Sequence, residues 1–222
     1  MDIGKAFSFV FEDEDWVIKI LLGAVILLVP IFGQLALIGY GIAIIRNVKA
    51  GESRPLPTWD NWGNYFMDGL MFWVVEMVYA IPIFILICPI IAVGLLPVLS
   101  GESEELAIAL SSISGIAILG ISCLIILYSI LLALLRPALR IHYAETGEIG
   151  ACLRLGDIFR LLFDNLGNII LIQILVWAVS MIVLSVVGTL TLGLLVLPVS
   201  FWIAALSSHL YGQIGHSDEA LL

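Results

Sequence analysis

Apolar residues gather into four long blocks, at residues 20–45, 69–99, 106–135 and 166–212, and the charged residues lie mainly in the short segments between them. A helix rises about 1.5 Å per residue, so about 20 apolar residues cross a hydrocarbon layer of about 30 Å. Each block is long enough for one crossing, and the last is long enough to fold back on itself, with Gly188-Thr189 as the natural turn. Lipid offers no partners to backbone amides, so the blocks are predicted as helices despite their many β-branched residues.

The first block admits two readings: one tilted helix, or a short hairpin broken around Pro30. As a hairpin it places Lys5, Lys19, Arg46, Lys49, Arg54, Arg136, Arg140, Arg154 and Arg160 on one side, while Glu102, Glu104 and Glu105 carry the charge opposite. The positive-inside rule favours that arrangement. The expectation is an all-α polytopic bundle of six membrane helices, the first pair short or re-entrant, with both termini cytoplasmic.

Amphipathic segments precede the hairpins. Ile3, Ala6, Phe7 and Val10 share a helical face near the start; Trp59, Trp62, Phe66 and Leu70 share one opposite Asp60, Asn61, Asn64 and Asp68, with Thr58 as N-cap. Ala151, Leu155, Ile158, Leu162 and Leu166 repeat the design opposite Arg154, Asp157, Arg160 and Asp164. Such helices lie in the headgroup layer. Gly51-Glu52, Asp68 and Leu70 recur at one common offset as Gly147-Glu148, Asp164 and Leu166. The reading is a single membrane domain of three repeats, 1–50, 51–144 and 145–215, although patterning imposed independently by the interface gives the same result.

Composition sharpens the class. Apolar residues make up 62% of the 222 and charged residues 12%, far from the roughly 25% charge of a soluble domain. The net charge of −9 offers no concentrated basic face, which excludes nucleic acid as a partner. Cys88, Cys123 and Cys152 are too scattered for a disulfide framework or zinc site, and the N-terminus lacks the basic start of a cleaved signal peptide.

Gly39-Tyr40-Gly41, Arg46-Asn47-Val48 and Gly51-Glu52, followed by Pro55-Leu56-Pro57-Thr58-Trp59-Asp60-Asn61-Trp62-Gly63 and Asp68-Gly69, resemble the prokaryotic integral-membrane family catalogued as domain of unknown function 4013. Residues 55–69 are the most specific part; Asn61 departs from the second acid expected there. The resemblance implies a bacterial or archaeal cytoplasmic-membrane protein and no particular activity.

Candidate sites are few. Trp59 and Trp62 read as an interfacial anchor, with Asp60, Asn61, Asn64 and Asp68 as a face for a partner. Glu76 is the ionisable group deepest in an apolar block; it reads as a structural partner of Arg136 or Arg140, or as a proton site. Gln34 and Gln173 read as interhelical hydrogen-bonding groups, and Ala204, Ser208 and Gly212 as a close-packing face. His142, His209 and His216 lack metal-site spacing, and no nucleophile or phosphate-loop motif occurs. No catalytic residue, cofactor or metal is assigned. The expectation is a non-enzymatic scaffold or accessory subunit that contacts the bilayer and another membrane protein or itself, with transport or permeation of a small solute or lipid as the alternative.

Overall fold

A computed structural model describes residues 1–100 and 103–214. Glu102 and His216 lie outside them. Among the described residues the chain is helical without a strand: α1 Ile3–Ser8, α2 Trp16–Leu27, α3 Phe32–Lys49, α4 Trp62–Gly94, α5 Glu104–Thr146, α6 Ile149–Cys152, α7 Leu155–Asp164, α8 Leu166–Leu190 and α9 Val196–Gly212, with 3₁₀ turns at Trp59–Asn61 and Leu96–Ser100. Three stretches, Trp59–Val98, Glu104–Thr146 and Leu166–Leu190, are long and apolar enough to cross a membrane.

The first apolar block is two helices. Pro30 lies in the turn between α2 and α3, and Ile31 closes it with φ 66°, a strained value for a β-branched residue. Gly33 makes the tight return possible, since a Cβ there would stand 2.2 Å from the Ile26 carbonyl oxygen. With 12 residues, α2 spans only about 18 Å.

The second amphipathic segment differs from its sequence reading. Only Trp59–Asn61 forms a separate turn; from Trp62 the chain runs as one 33-residue helix through Pro82 and Pro89. The polar face around Asn64 and Asp68 therefore belongs to the first turns of α4. Gly69 lies within that helix and lets it approach α3 closely, since an added Cβ would meet the Leu35 carbonyl oxygen at 1.8 Å.

Two compact units emerge, with the division falling inside α4 and α5. The unit Glu76–Leu134 pairs the later part of α4 with the earlier part of α5. Tyr128 donates to the Tyr79 carbonyl at 2.7 Å and Ser114 to the Val93 carbonyl at 2.8 Å. Its outer surface is apolar, with Phe84, Ile85, Ile116 and Leu119 all exposed.

The other unit holds Met1–Val75 and the chain from Leu135 onward. Its core stacks Tyr40, Ile44, Phe201 and Ala205 between α3 and α9. Small residues set the spacing: a Cβ on Gly41 would lie 2.6 Å from Ser208 Oγ, and one on Gly212 would lie 2.6 Å from Val48. Asp2 caps α1 by accepting from the Lys5 amide at 2.9 Å and is itself tied to α9, its amide donating to Gln213 Oε1 at 2.6 Å. In α7, Ile158 and Leu162 are buried while Leu155 and Phe163 are exposed. Gly51 and Gly147, the glycines shared by the repeated pattern, follow α3 and α5 with nearly equal positive φ, 72° and 68°.

Candidate functional site

The segment Pro55-Leu56-Pro57-Thr58 cannot supply its own backbone pairing. Its prolines lack amide hydrogens and hold the chain extended, so its carbonyls need donors from elsewhere. Four successive carbonyls obtain one each. Asn47 Nδ2 donates to Pro55 at 3.1 Å, Lys19 Nζ to Leu56 at 3.0 Å, the Tyr40 hydroxyl to Pro57 at 2.7 Å and the Tyr65 hydroxyl to Thr58 at 2.9 Å. The donors come from α2, α3 and α4, so this strap bonds three helices together.

The strap continues into Trp59, whose indole N–H donates to the Lys19 carbonyl at 2.9 Å. The ring stacks on Tyr40 at 4.4 Å, with Tyr65 edge-on to Tyr40 at 5.5 Å. Much of the Trp59 side chain is engaged in internal packing, because the 3₁₀ turn directs it toward α3. Trp62 remains exposed, its ring against Phe32 at 5.9 Å.

Lys19 also bonds Asp13 at 2.6 Å, both side chains no more than 10% exposed. A buried ammonium has to find an anion and carbonyl acceptors, and here it has both. The pair underlies a polar cleft of about 450 Å³, lined among others by Glu14, Arg54, Thr58 and Tyr65, with Glu14 and Arg54 bridged at 2.8 Å along it.

Asp60, Asn61 and Asn64 are exposed beside the strap. Asp68 is not part of that free face. Its carboxylate pairs with Arg46 at 2.5 Å and accepts from the Tyr143 hydroxyl at 3.5 Å, while Arg46 Nε donates to the Ala144 carbonyl at 3.0 Å. An acid on the α4 side that meets α3 and α5 is drawn into pairing there, which the helical wheel alone does not reveal.

Glu76 is half-buried and opens the second unit; Arg136 and Gln34 are exposed. The Arg140 guanidinium lies 5.6 Å over the Phe72 ring, and Gln173 Oε1 accepts from Tyr211 at 3.2 Å, joining α8 to α9. His209 is buried and stacks on Phe9 at 4.3 Å; His142 lines a second cleft with Asp157, Arg160 and Asp164. Cys152 is fully buried, and burial pushes its thiol up to about 11.

Sequence reasoning missed Asp13, Lys19, Tyr40, Asn47 and Arg46 as parts of this arrangement. Two prolines without a ladder were the available signal, since they announce carbonyls in need of donors; which donors serve them depends on the fold.

A family model described as "Protein of unknown function (DUF4013)" matches residues 22–197. No curated protein and no solved structure matches.

Proposed function

The chain belongs to the DUF4013 family of proteins of unknown function, and from that premise we propose that it is a multi-pass scaffold or accessory subunit of a prokaryotic cytoplasmic membrane. The strap holds the polar turn after it in a fixed position, and that turn contacts a neighbouring membrane protein. The observation that carries this reading is the set of four consecutive carbonyls bonded by Asn47, Lys19, Tyr40 and Tyr65. So much pairing around a short extended segment makes a rigid mount, and rigid mounts lower the entropy cost of association.

The proposed orientation has three hairpins, with turns around 28–31, 95–100 and 191–195, none of which contains a basic residue. All nine Lys and Arg then lie on the cytoplasmic side with both termini. The first hairpin enters the bilayer without a full crossing by α2, and the exposed apolar residues of α7, Leu155 and Phe163, ride in the headgroup layer.

Alanine at Asp60, Asn61 and Asn64 together should reduce co-purification of a membrane partner without lowering the melting temperature in detergent. Unchanged association would remove the docking role. A second reading, transport of a small solute or lipid, is favoured by the buried Lys19–Asp13 pair beneath the polar cleft. A flux into vesicles reconstituted with the protein, abolished by Asp13→Asn at unchanged stability, would favour transport over the scaffold.

A further inference from the structure

One side-chain amide ties the start of the chain to the C-terminal end of α9. The Asp2 N–H donates to Gln213 Oε1 at 2.6 Å, and Gln213 Nε2 donates back to the Asp2 carbonyl at 3.0 Å. A backbone N–H only donates and a carbonyl only accepts, so the carboxamide has a single orientation. The second N–H on Nε2 serves His209 Nδ1, 3.0 Å away. Nδ1 is therefore the accepting nitrogen, and the imidazole is the neutral tautomer with its hydrogen on Nε2.

The ring has little room to swing aside. His209 is only 4% exposed and stacks on Phe9 at 4.3 Å, and Phe9 is itself buried. Lys5, Asp2 and Glu12 are the charged groups that act on it, all from the N-terminal segment. Charges on the other elements around α9 are already engaged: Lys19 of α2 with Asp13 at 2.6 Å, and Lys49 of α3 with Glu145 at 2.8 Å and the Ile214 carbonyl at 2.7 Å. No Asp, Glu, Lys or Arg occurs in α8 or α9, and Tyr211 is bonded to Gln173.

From this network we infer that α1 is a proton-sensitive latch on α9, opened by a second proton on His209. Protonated Nδ1 is a donor aimed at a donor. Turning the carboxamide over satisfies His209 but sets oxygen against the Asp2 carbonyl and nitrogen against the Asp2 N–H, so both bonds to Asp2 are lost. The first ten residues are then held on α9 by apolar contacts such as Phe7 against Trp202 at 5.8 Å. The latch is closed while His209 is neutral and opens as pH falls.

The test is electron paramagnetic resonance of a spin label at Gly4→Cys, an exposed position with room for a side chain, in the whole chain in detergent with its native cysteines replaced. A neutral hydrogen bond is worth about a fivefold change in the closed-to-open ratio, so losing three shifts that ratio about a hundredfold. The label is expected to be immobile at about pH 7.5 and mostly mobile at about pH 4.5, reversibly, while a label at exposed Glu148→Cys keeps its line shape. His209→Asn sets an amide oxygen near the Nδ1 position and does not titrate, so the Gly4 label should stay immobile at both pH values. Gln213→Leu should free it at both. Gln213→Glu, whose carboxylate accepts from the Asp2 N–H and from protonated His209, should reverse the sense and tighten the label as pH falls to about 5.5. A parent unmoved by acid, an immobile label in Gln213→Leu, acid release that survives His209→Asn or Gln213→Glu, or equal loosening at Glu148 would each overturn the inference.

Discussion

Tyr40 donates its phenolic hydrogen to the Pro57 carbonyl at 2.7 Å from a ring that is only 1% exposed. The bond joins the middle of α3 to a residue with no amide hydrogen of its own. Tyr40→Phe keeps the stacking on Trp59 and removes only that donor, leaving a buried carbonyl unpaired. The expected cost is about 1–3 kcal/mol, read as a lower melting temperature in detergent. Tyr65→Phe should act in the same direction through Thr58, and an unchanged melt for both would mean that the strap is held by its rings alone.

Lys19 and Asp13 form the buried ion pair beneath the strap. Removing one partner leaves the other charge buried, so Lys19→Met or Asp13→Leu alone should each cost about 3–5 kcal/mol. The double variant should recover much of that loss, because two apolar side chains need no partners. Thermal melts of the four proteins in a double-mutant cycle give the coupling; additive losses would contradict the pairing.

Asp68 and its neighbours should separate cleanly. Asp68→Asn breaks the charge pair with Arg46 and is expected to lower stability by about 1.5 kcal/mol, the scale of a charge-assisted hydrogen bond. Changing Asp60, Asn61 and Asn64 should leave the melt within about 0.5 kcal/mol of the parent, as for exposed positions generally. Equal effects from both sets would dissolve the distinction between structural and presented residues.

Cys152 should resist alkylation from either side of the membrane. It is fully buried, and with its thiol pushed up to about 11, only about one part in a thousand is thiolate at pH 8. The folded thiol holds its proton more tightly than the unfolded one. Its burial therefore stabilises the fold fully below about pH 9, and that contribution fades as pH rises toward 11. Topology is read instead from a cysteine at exposed Glu148 in a background without Cys88, Cys123 and Cys152. An impermeant maleimide should miss it in intact cells and label one placed at Ser103.

Much of the helical framework was legible because apolar length and punctuation are local properties. Pro30 marked the break between α2 and α3, whereas the continuation of α5 past the apolar block to Thr146 was not marked by apolar length. The helical wheel at 59–70 failed for two reasons that are not local. It read 59–70 as a separate interfacial helix, whereas α4 runs on from Trp62 through Gly69 to Gly94. It also treated every polar residue as solvent-facing, whereas Asp68 meets Arg46. Lys19 was visible only as a positive charge; its pairing with Asp13 and the Leu56 carbonyl requires the strap to lie across it.

The central claim is that the rigid strap presents the turn at Asp60 and Asn61 to a neighbouring protein. A photo-crosslinking residue at Asn61, activated in native membranes, tests it most directly. The account predicts a discrete protein adduct from Asn61, lost when Asp60 and Asn64 are replaced and weakened by Tyr40→Phe, with no such adduct from a probe at exposed Ile85. Adducts to lipid alone from Asn61, or the same protein adduct from both positions, would contradict it.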